Sequence, residues 1–215
     1  MPKQPVYKIR RMKSAVPFET LCASHFSKAL PVPFRETVSG KPPRQAGEAR
    51  LLYDDISLYA FFDLEENSPV ATLAGHDAPL YNENVVELFI DPLGKGGLYY
   101  ELEVNPLNAT FDALIINDIG KGNRRGPRFQ GFTGWDPKSL KTRSLVTPGK
   151  WQVFLSIDFA DLFLAKRIPP KKGDAWNGNI LRIDFDGKAR EYCAWSPTYI
   201  LDFHNSNRFG TWLFD

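Results

Sequence analysis

From Val85 to Asp91 and again from Leu98 to Asn105 the side chains alternate, and between them runs Pro92-Leu93-Gly94-Lys95-Gly96-Gly97. This pair of segments constrains the chain more than any other feature. Period-two alternation sends successive side chains to opposite faces of a strand, and a glycine-rich break lets the backbone reverse. The two segments therefore read as a hairpin. Val86, Leu88 and Ile90 point one way, with Tyr100, Leu102 and Val104 facing the same way from the partner strand. Glu87, Phe89, Tyr99, Glu101, Glu103 and Asn105 take the opposite face. A lone hairpin is marginal in water, so this one demands further strands to complete a sheet.

Those strands are legible on both sides. Ala49–Tyr53 and Leu58–Asp63 flank the turn signal Asp54-Asp55. In the second, Leu58, Ala60 and Phe62 oppose Tyr59, Phe61 and Asp63. Thr110–Ile116, Trp151–Ile157, Asn179–Phe185, Glu191–Trp195 and Phe209–Phe214 follow. Helix is almost absent: Phe18–Ala29 has room for one short helix, and Asp158 can cap another from Phe159 to Ala165, which Pro169-Pro170 would end. Short strands separated by turns predict an all-β fold, a sandwich or barrel. Residues 1–48, broken by seven prolines, read as an irregular segment wrapping the open edges of a β domain over 49–215. Two long connections stand out. Glu65 to Asn84 is long enough to suspect function, and Asp118 to Gly134, rich in Gly, Arg and Asn, reads as a mobile loop.

Charge and composition narrow the function classes. The net charge is only +2, yet residues 1–50 hold ten Lys/Arg against three Asp/Glu. A basic start of this kind could serve a nucleic acid or an anionic membrane, but no dense Lys/Arg block or RNA-binding motif accompanies it, so it reads as a solvated segment and no nucleic-acid partner is expected. No apolar run is long enough to span a bilayer, and no apolar stretch follows the basic first residues. Membrane insertion is not expected, and the chain as given reads as cytoplasmic. Cys22 and Cys193 are too few and too far apart to make a disulfide framework and are expected as free, buried thiols. Oligomeric state is not legible.

Six segments, in order, resemble carbohydrate-binding module family 9. His76-Asp77-Ala78-Pro79-Leu80-Tyr81 precedes the acidic strand ending in Asp91-Pro92. Tyr100-Glu101-Leu102-Glu103-Val104-Asn105-Pro106 follows. Trp176, Asn179 and Arg182 make a Trp-x-x-Asn-x-x-Arg pattern, then come Trp195-Ser196-Pro197-Thr198 and Phe203-His204 with Phe209-Gly210. The resemblance covers about Ala49 to Phe214. It implies a two-sheet antiparallel β-sandwich of the jelly-roll or immunoglobulin-like kind, related to DOMON-like domains, and non-catalytic binding of an oligosaccharide or polysaccharide chain between two aromatic rings. Tyr81 falls where one stacking Trp sits, a smaller platform, and Trp195 looks like the other ring. Glu87, Glu103 and Asn105 fall at polar contact positions. It further implies a place outside the cytoplasm, and structural calcium with no other cofactor required. Asp63, Glu65, Asp77 and Asp91 are oxygen donors near turns, without the spacing of an EF-hand.

The chemistry suits that constellation. A pyranose presents an apolar face of C–H groups, which a ring buries, and a rim of hydroxyls, which carboxylates and amides engage. Other readings of the same residues stay open. Trp195 is equally a core residue, and Glu87, Glu103 and Asn105 could face solvent. A glycoside hydrolase would need two of Glu87, Glu101 and Glu103 as an acid and a second carboxylate. A redox or haem-binding DOMON-like domain would need axial ligands, and Met1 and Met12 lie outside the matched region while His25, His76 and His204 are scattered. A protein-interaction domain would use the basic N-terminal segment. Zinc is not expected from two distant cysteines and three scattered histidines.

Overall fold

The computed structural model describes residues 2–118 and 128–215, so the expected loop over 118–134 lies mostly outside the described residues. Fourteen strands are present among them: β1 (Val6–Arg11), β2 (Val32–Pro33), β3 (Arg35–Glu36), β4 (Gly47–Tyr53), β5 (Ser57–Glu65), β6 (Val85–Asp91), β7 (Leu98–Val104), β8 (Thr110–Ile116), β9 (Gln130–Phe132), β10 (Lys141–Thr147), β11 (Lys150–Asp158), β12 (Ala175–Phe185), β13 (Arg190–Ala194) and β14 (Gly210–Phe214). The only helical pieces described are short 3₁₀ turns. The helix expected over 18–29 is split into two of them, Phe18–Thr20 and Ala23–Lys28. The one expected after Asp158 stops at Asp161, because the Asp158 carboxylate accepts the Ser57 hydroxyl instead of capping the following backbone. No helix among the described residues is long and apolar enough to cross a membrane.

The fold is all-β, but its hydrogen bonding departs from two antiparallel sheets. One continuous mixed sheet runs β10-β11-β5-β4-β1-β14-β12-β6-β7-β8-β9, with β13 beside β12 and β3, and β2 against β4. The departure comes from β1. Val6–Ile9 pair in parallel with Thr211–Phe214, and Arg10 and Arg11 pair in parallel with Leu52 and Tyr53. Residues 1–48 are therefore not simply irregular: they supply a central strand and two short edge strands.

The sheet curls so that its two halves share one core. Leu58, Ala60 and Phe62 of β5 and Trp151, Val153, Leu155 and Ile157 of β11 enter it from one side. Val86, Leu88 and Ile90 of β6 meet it from the other, with Tyr100, Leu102 and Val104 of β7 opposite them in register. The outer face of the first half is covered by the N-terminal segment, where Leu21, Phe26 and Ala29 pack on Leu52, Tyr59, Phe61 and Phe154. This is why β5 is apolar on both faces. The outer face of the second half carries a smaller buried cluster, in which Val85, Phe89, Tyr99, Ile115 and Leu181 pack with loop residues Leu80, Phe203 and Phe209. Cys193 is buried and Cys22 lies at the surface, both free.

A strand in the middle of a sheet should be indispensable. Ile9 of β1 is fully buried, and Ile9→Ala should cost about 2–5 kcal/mol in urea-unfolding measurements. Deletion of residues 1–45 should abolish the cooperative transition altogether; an unchanged melting curve would show that β1 is dispensable.

Candidate ligand-binding groove

Over that outer face the described residues form a groove of about 520 Å³, inside the range of about 300–1,000 Å³ usual for ligand pockets. Strand register explains its floor. Across β12, β6, β7 and β8, Leu181, Glu87, Glu103 and Phe111 stand in one row, and Asn179, Phe89, Glu101 and Ala113 in the next. Glu87 and Glu101 reach the groove. Tyr81, on a 3₁₀ turn at Leu80–Asn82, stands half-exposed at its margin with its ring edge-on to Phe111, centroids 6.1 Å apart at 89°. Further aromatic surface comes from Phe129, Tyr192 and Phe203, the last two ring-to-edge at 5.6 Å. Arg190 secures the Tyr81 turn by donating to the Asn82 carbonyl at 3.0 Å, while its guanidinium lies over Phe185 at 4.7 Å. His204 accepts from or donates to the Tyr99 hydroxyl at 2.7 Å and stacks on Phe89.

The groove's acidic floor is electrostatically loaded. Glu87, Glu101 and Glu103 are all buried, and their nearest carboxylate oxygens lie within 4.8 Å of one another. Like charges directly opposite on neighbouring strands repel. Glu103 feels this directly. Burial, then the charges of Glu87 and Glu101, push its carboxyl well above the usual glutamate range, while the Tyr81 backbone amide pulls the other way. The protonated form that this favours is a hydrogen-bond donor as well as an acceptor. These glutamates are thus not the solvent-facing strand residues that one reading of the sequence allowed.

The structure does not bring all the expected residues together. Tyr81 and Glu87 share the groove, and Glu103 lies buried beneath the Tyr81 backbone. Asn105 is elsewhere. Its Oδ1 accepts from the amides of Leu107 and Ala109 and holds the β7–β8 turn, while its Nδ2 donates to the Leu73 carbonyl at 2.6 Å and ties that turn to the connection before β6. Trp195 is absent from the groove as well. It belongs to the main core, edge-on to Tyr7 at 6.1 Å and so close to Gly210 that a Cβ there would sit 2.4 Å from its ring. A clamp of Tyr81 and Trp195 is not formed; the rings that accompany Tyr81 are Phe111, Phe129, Tyr192 and Phe203. Sequence reasoning missed these four because each is one aromatic among many, and only the register and the loop paths bring them to one place. Nor do the four oxygen donors weighed for calcium converge. The Asp91 carboxylate accepts the amides of Leu93, Gly94 and Gly96, Asp63 is held by Gln152 and Lys150, and Glu65 accepts the Ala46 amide.

No protein-family model and no curated protein matches the chain. Solved structures do. A candidate carbohydrate-binding protein from Bacteroides uniformis superposes with a TM-score of 0.78 at 17% identity, over 99% of this chain and 100% of that one. A carbohydrate-binding module of family 9 from Caldicellulosiruptor kristjanssonii, in complex with cellotriose, gives 0.69 at 13% identity over 98% of this chain and 93% of that one. The same kind of module in complex with glucose gives 0.63 at 13% identity. The fold is that of family 9 modules. It extends over the whole chain, so the N-terminal segment is part of it.

Proton linkage at Glu103 is testable. An unfolded glutamate releases its proton near about pH 4.3, and the folded chain releases this one only at higher pH. The folded state therefore binds more protons across that interval, and stability falls as pH rises through it. Glu103→Gln should melt above the wild type at neutral and alkaline pH, with the gap closing as pH falls to the ordinary glutamate value. A gap independent of pH would mean that Glu103 titrates normally.

Proposed function

We propose that this chain binds carbohydrate without altering it, holding a sugar in the groove beside Tyr81. The observation that carries the reading is the composition of that groove: aromatic side chains from separate loops and strands stand over the carboxylates of Glu87 and Glu101. Rings take the C–H face of a pyranose and carboxylates accept its hydroxyls, which is the division of labour the ligand requires. Because an unpaired buried hydroxyl costs about 1–3 kcal/mol, the spacing of the acidic floor sets which sugar fits. The similar modules crystallised with cellotriose and with glucose make glucose and β-linked glucose chains the first ligands to try. Oligosaccharides or polysaccharides are thus the proposed partners, on a curled sheet of the sandwich type.

Hydrolysis is the second reading, and the crowding of Glu87, Glu101 and Glu103 is what favours it. A hydrolase places one acid and a second carboxylate on either side of the scissile bond. Here all three stand on one floor from adjacent strands, so we favour binding alone. Hydrolysis of an oligosaccharide that Glu87→Gln abolishes would reverse this preference.

Calorimetry with cello-oligosaccharides separates the residues. Tyr81→Ala and Tyr192→Ala should each weaken binding about tenfold or more, in line with losing roughly 1.5 kcal/mol of ring contact, while leaving the melting temperature near that of the wild type. Trp195→Ala should instead destabilise the fold by about 3–5 kcal/mol. Sugar binding that survives both tyrosine changes would place the site elsewhere.

A further inference from the structure

On the opposite face of β8 from Phe111, four ionisable side chains from three parts of the chain converge. His76, Asp112 of β8 and Asp136 from the segment after β9 bring their donor atoms within 4.8 Å of one another, and Asp77, beside His76 in the long connection before β6, adjoins the imidazole. His76 Nε2 lies 3.1 Å from Asp136 Oδ1, 3.7 Å from Asp77 Oδ1 and 3.9 Å from Asp112 Oδ1. His76 Nδ1 is engaged by the Thr110 hydroxyl at 3.2 Å, which turns Nε2 towards the carboxylates. That is the outer partner a ligating imidazole ordinarily has.

Asp112 is the decisive member. Its side chain is 2% exposed, and its Oδ2 has no hydrogen-bond partner. A buried carboxylate with an unsatisfied oxygen, set beside two further carboxylates, is costly unless a proton or a cation neutralises it. The neighbouring imidazole is too far from Asp112 to donate to it. Nothing in the sugar reading uses these residues, and the inference stands whatever the groove binds.

We propose that His76, Asp77, Asp112 and Asp136 form a binding site for a divalent transition-metal ion of the Zn²⁺ or Mn²⁺ class. One nitrogen with up to three carboxylates suits such an ion, whereas Ca²⁺ takes about six to eight oxygens. Zn²⁺ holds imidazole and carboxylate donors at about 2.0–2.2 Å, so neighbouring donors on a tetrahedron are about 3.3 Å apart; the separations from Nε2 bracket that value. The scattering of histidines along the sequence does not forbid the site, because aspartates complete the ligand set. A bound ion would pin the connection that carries Tyr81 to β8, adding to the Asp77 amide's bond to the Thr110 carbonyl at 3.0 Å.

The test uses the full chain stripped with a chelator and titrated separately with ZnCl₂, MnCl₂ and CaCl₂, followed by calorimetry and melting. One equivalent of Zn²⁺ or Mn²⁺ should bind and raise the melting temperature by several degrees, and the two arms identify the ion. Removing a ligand should weaken binding at least as much as losing an outer partner does, about 10–100-fold. That loss is expected in His76→Ala, Asp112→Asn and Asp136→Ala. Asp136 is exposed, so its variant keeps the test valid should Asp112→Asn fold poorly. Binding of neither metal, or binding unchanged in His76→Ala and Asp136→Ala, would overturn the proposal, as would Ca²⁺ uptake indifferent to His76.

Discussion

The whole arrangement depends on the parallel pairing of β1 with both β14 and β4. Val6–Ile9 hydrogen-bond to the last strand of the chain and Arg10–Arg11 to the first long hairpin. One six-residue strand thus fastens the two halves of the sheet together. Tyr7 adds to the joint. Its hydroxyl donates to the Leu30 carbonyl at 2.8 Å and accepts the Leu51 amide at 3.0 Å, while its ring meets Trp195. Parallel partners cannot be joined by a tight turn. The closure therefore brings together residues from opposite ends of the chain, and everything else is arranged about that seam.

Both faces of β5, β6 and β7 are largely buried, and the groove lies over the outer face of β6, β7 and β8. Its polarity is a consequence of register. Glu87 opposite Glu103, with Glu101 two residues along, places three carboxylates where an apolar face would pack better. Such a placement costs stability, because each carboxylate is buried and repels the others. A second buried polar centre, at Arg182, is paired through both terminal nitrogens of its guanidinium, while Nε has no partner. Arg182 donates to the carbonyl of Glu65 at 2.8 Å and to Glu66 Oε2 at 3.1 Å, tying β12 to the end of β5.

The segments that resemble family 9 turn out to describe the scaffold more than the site. Asp91 orders the glycine-rich turn, Asn105 the β7–β8 turn, and Asn179 accepts the Ser196 amide while donating to its carbonyl. Trp176 and Trp195 are in the core and Arg182 is buried beneath the sheet. These motif residues fix backbone or fill volume, whereas Tyr81, Glu87, Glu101, Phe203 and His204 line the groove. A motif of this kind reports fold, since turns and buried polar clasps demand particular residues, whereas a sugar platform needs only some ring in the right place.

The sequence alone determined the all-β class, the inward sets of β5, β6, β7 and β11, and the shared face of Glu87, Glu101 and Glu103. All of these follow from period-two alternation and from turns whose residues leave little choice. It missed β1, β9 and β10, because a basic strand, a three-residue strand and a polar edge strand carry no alternating apolar signal. Only the tertiary structure decided that Trp195 packs inside, that Tyr192 and Phe203 face the groove, and that His76 meets Asp112 and Asp136. The reason is physical. Local sequence sets which way a side chain leaves its strand, but which rings and charges become neighbours depends on strand order and on loop paths, and those are fixed by contacts between residues far apart in the chain.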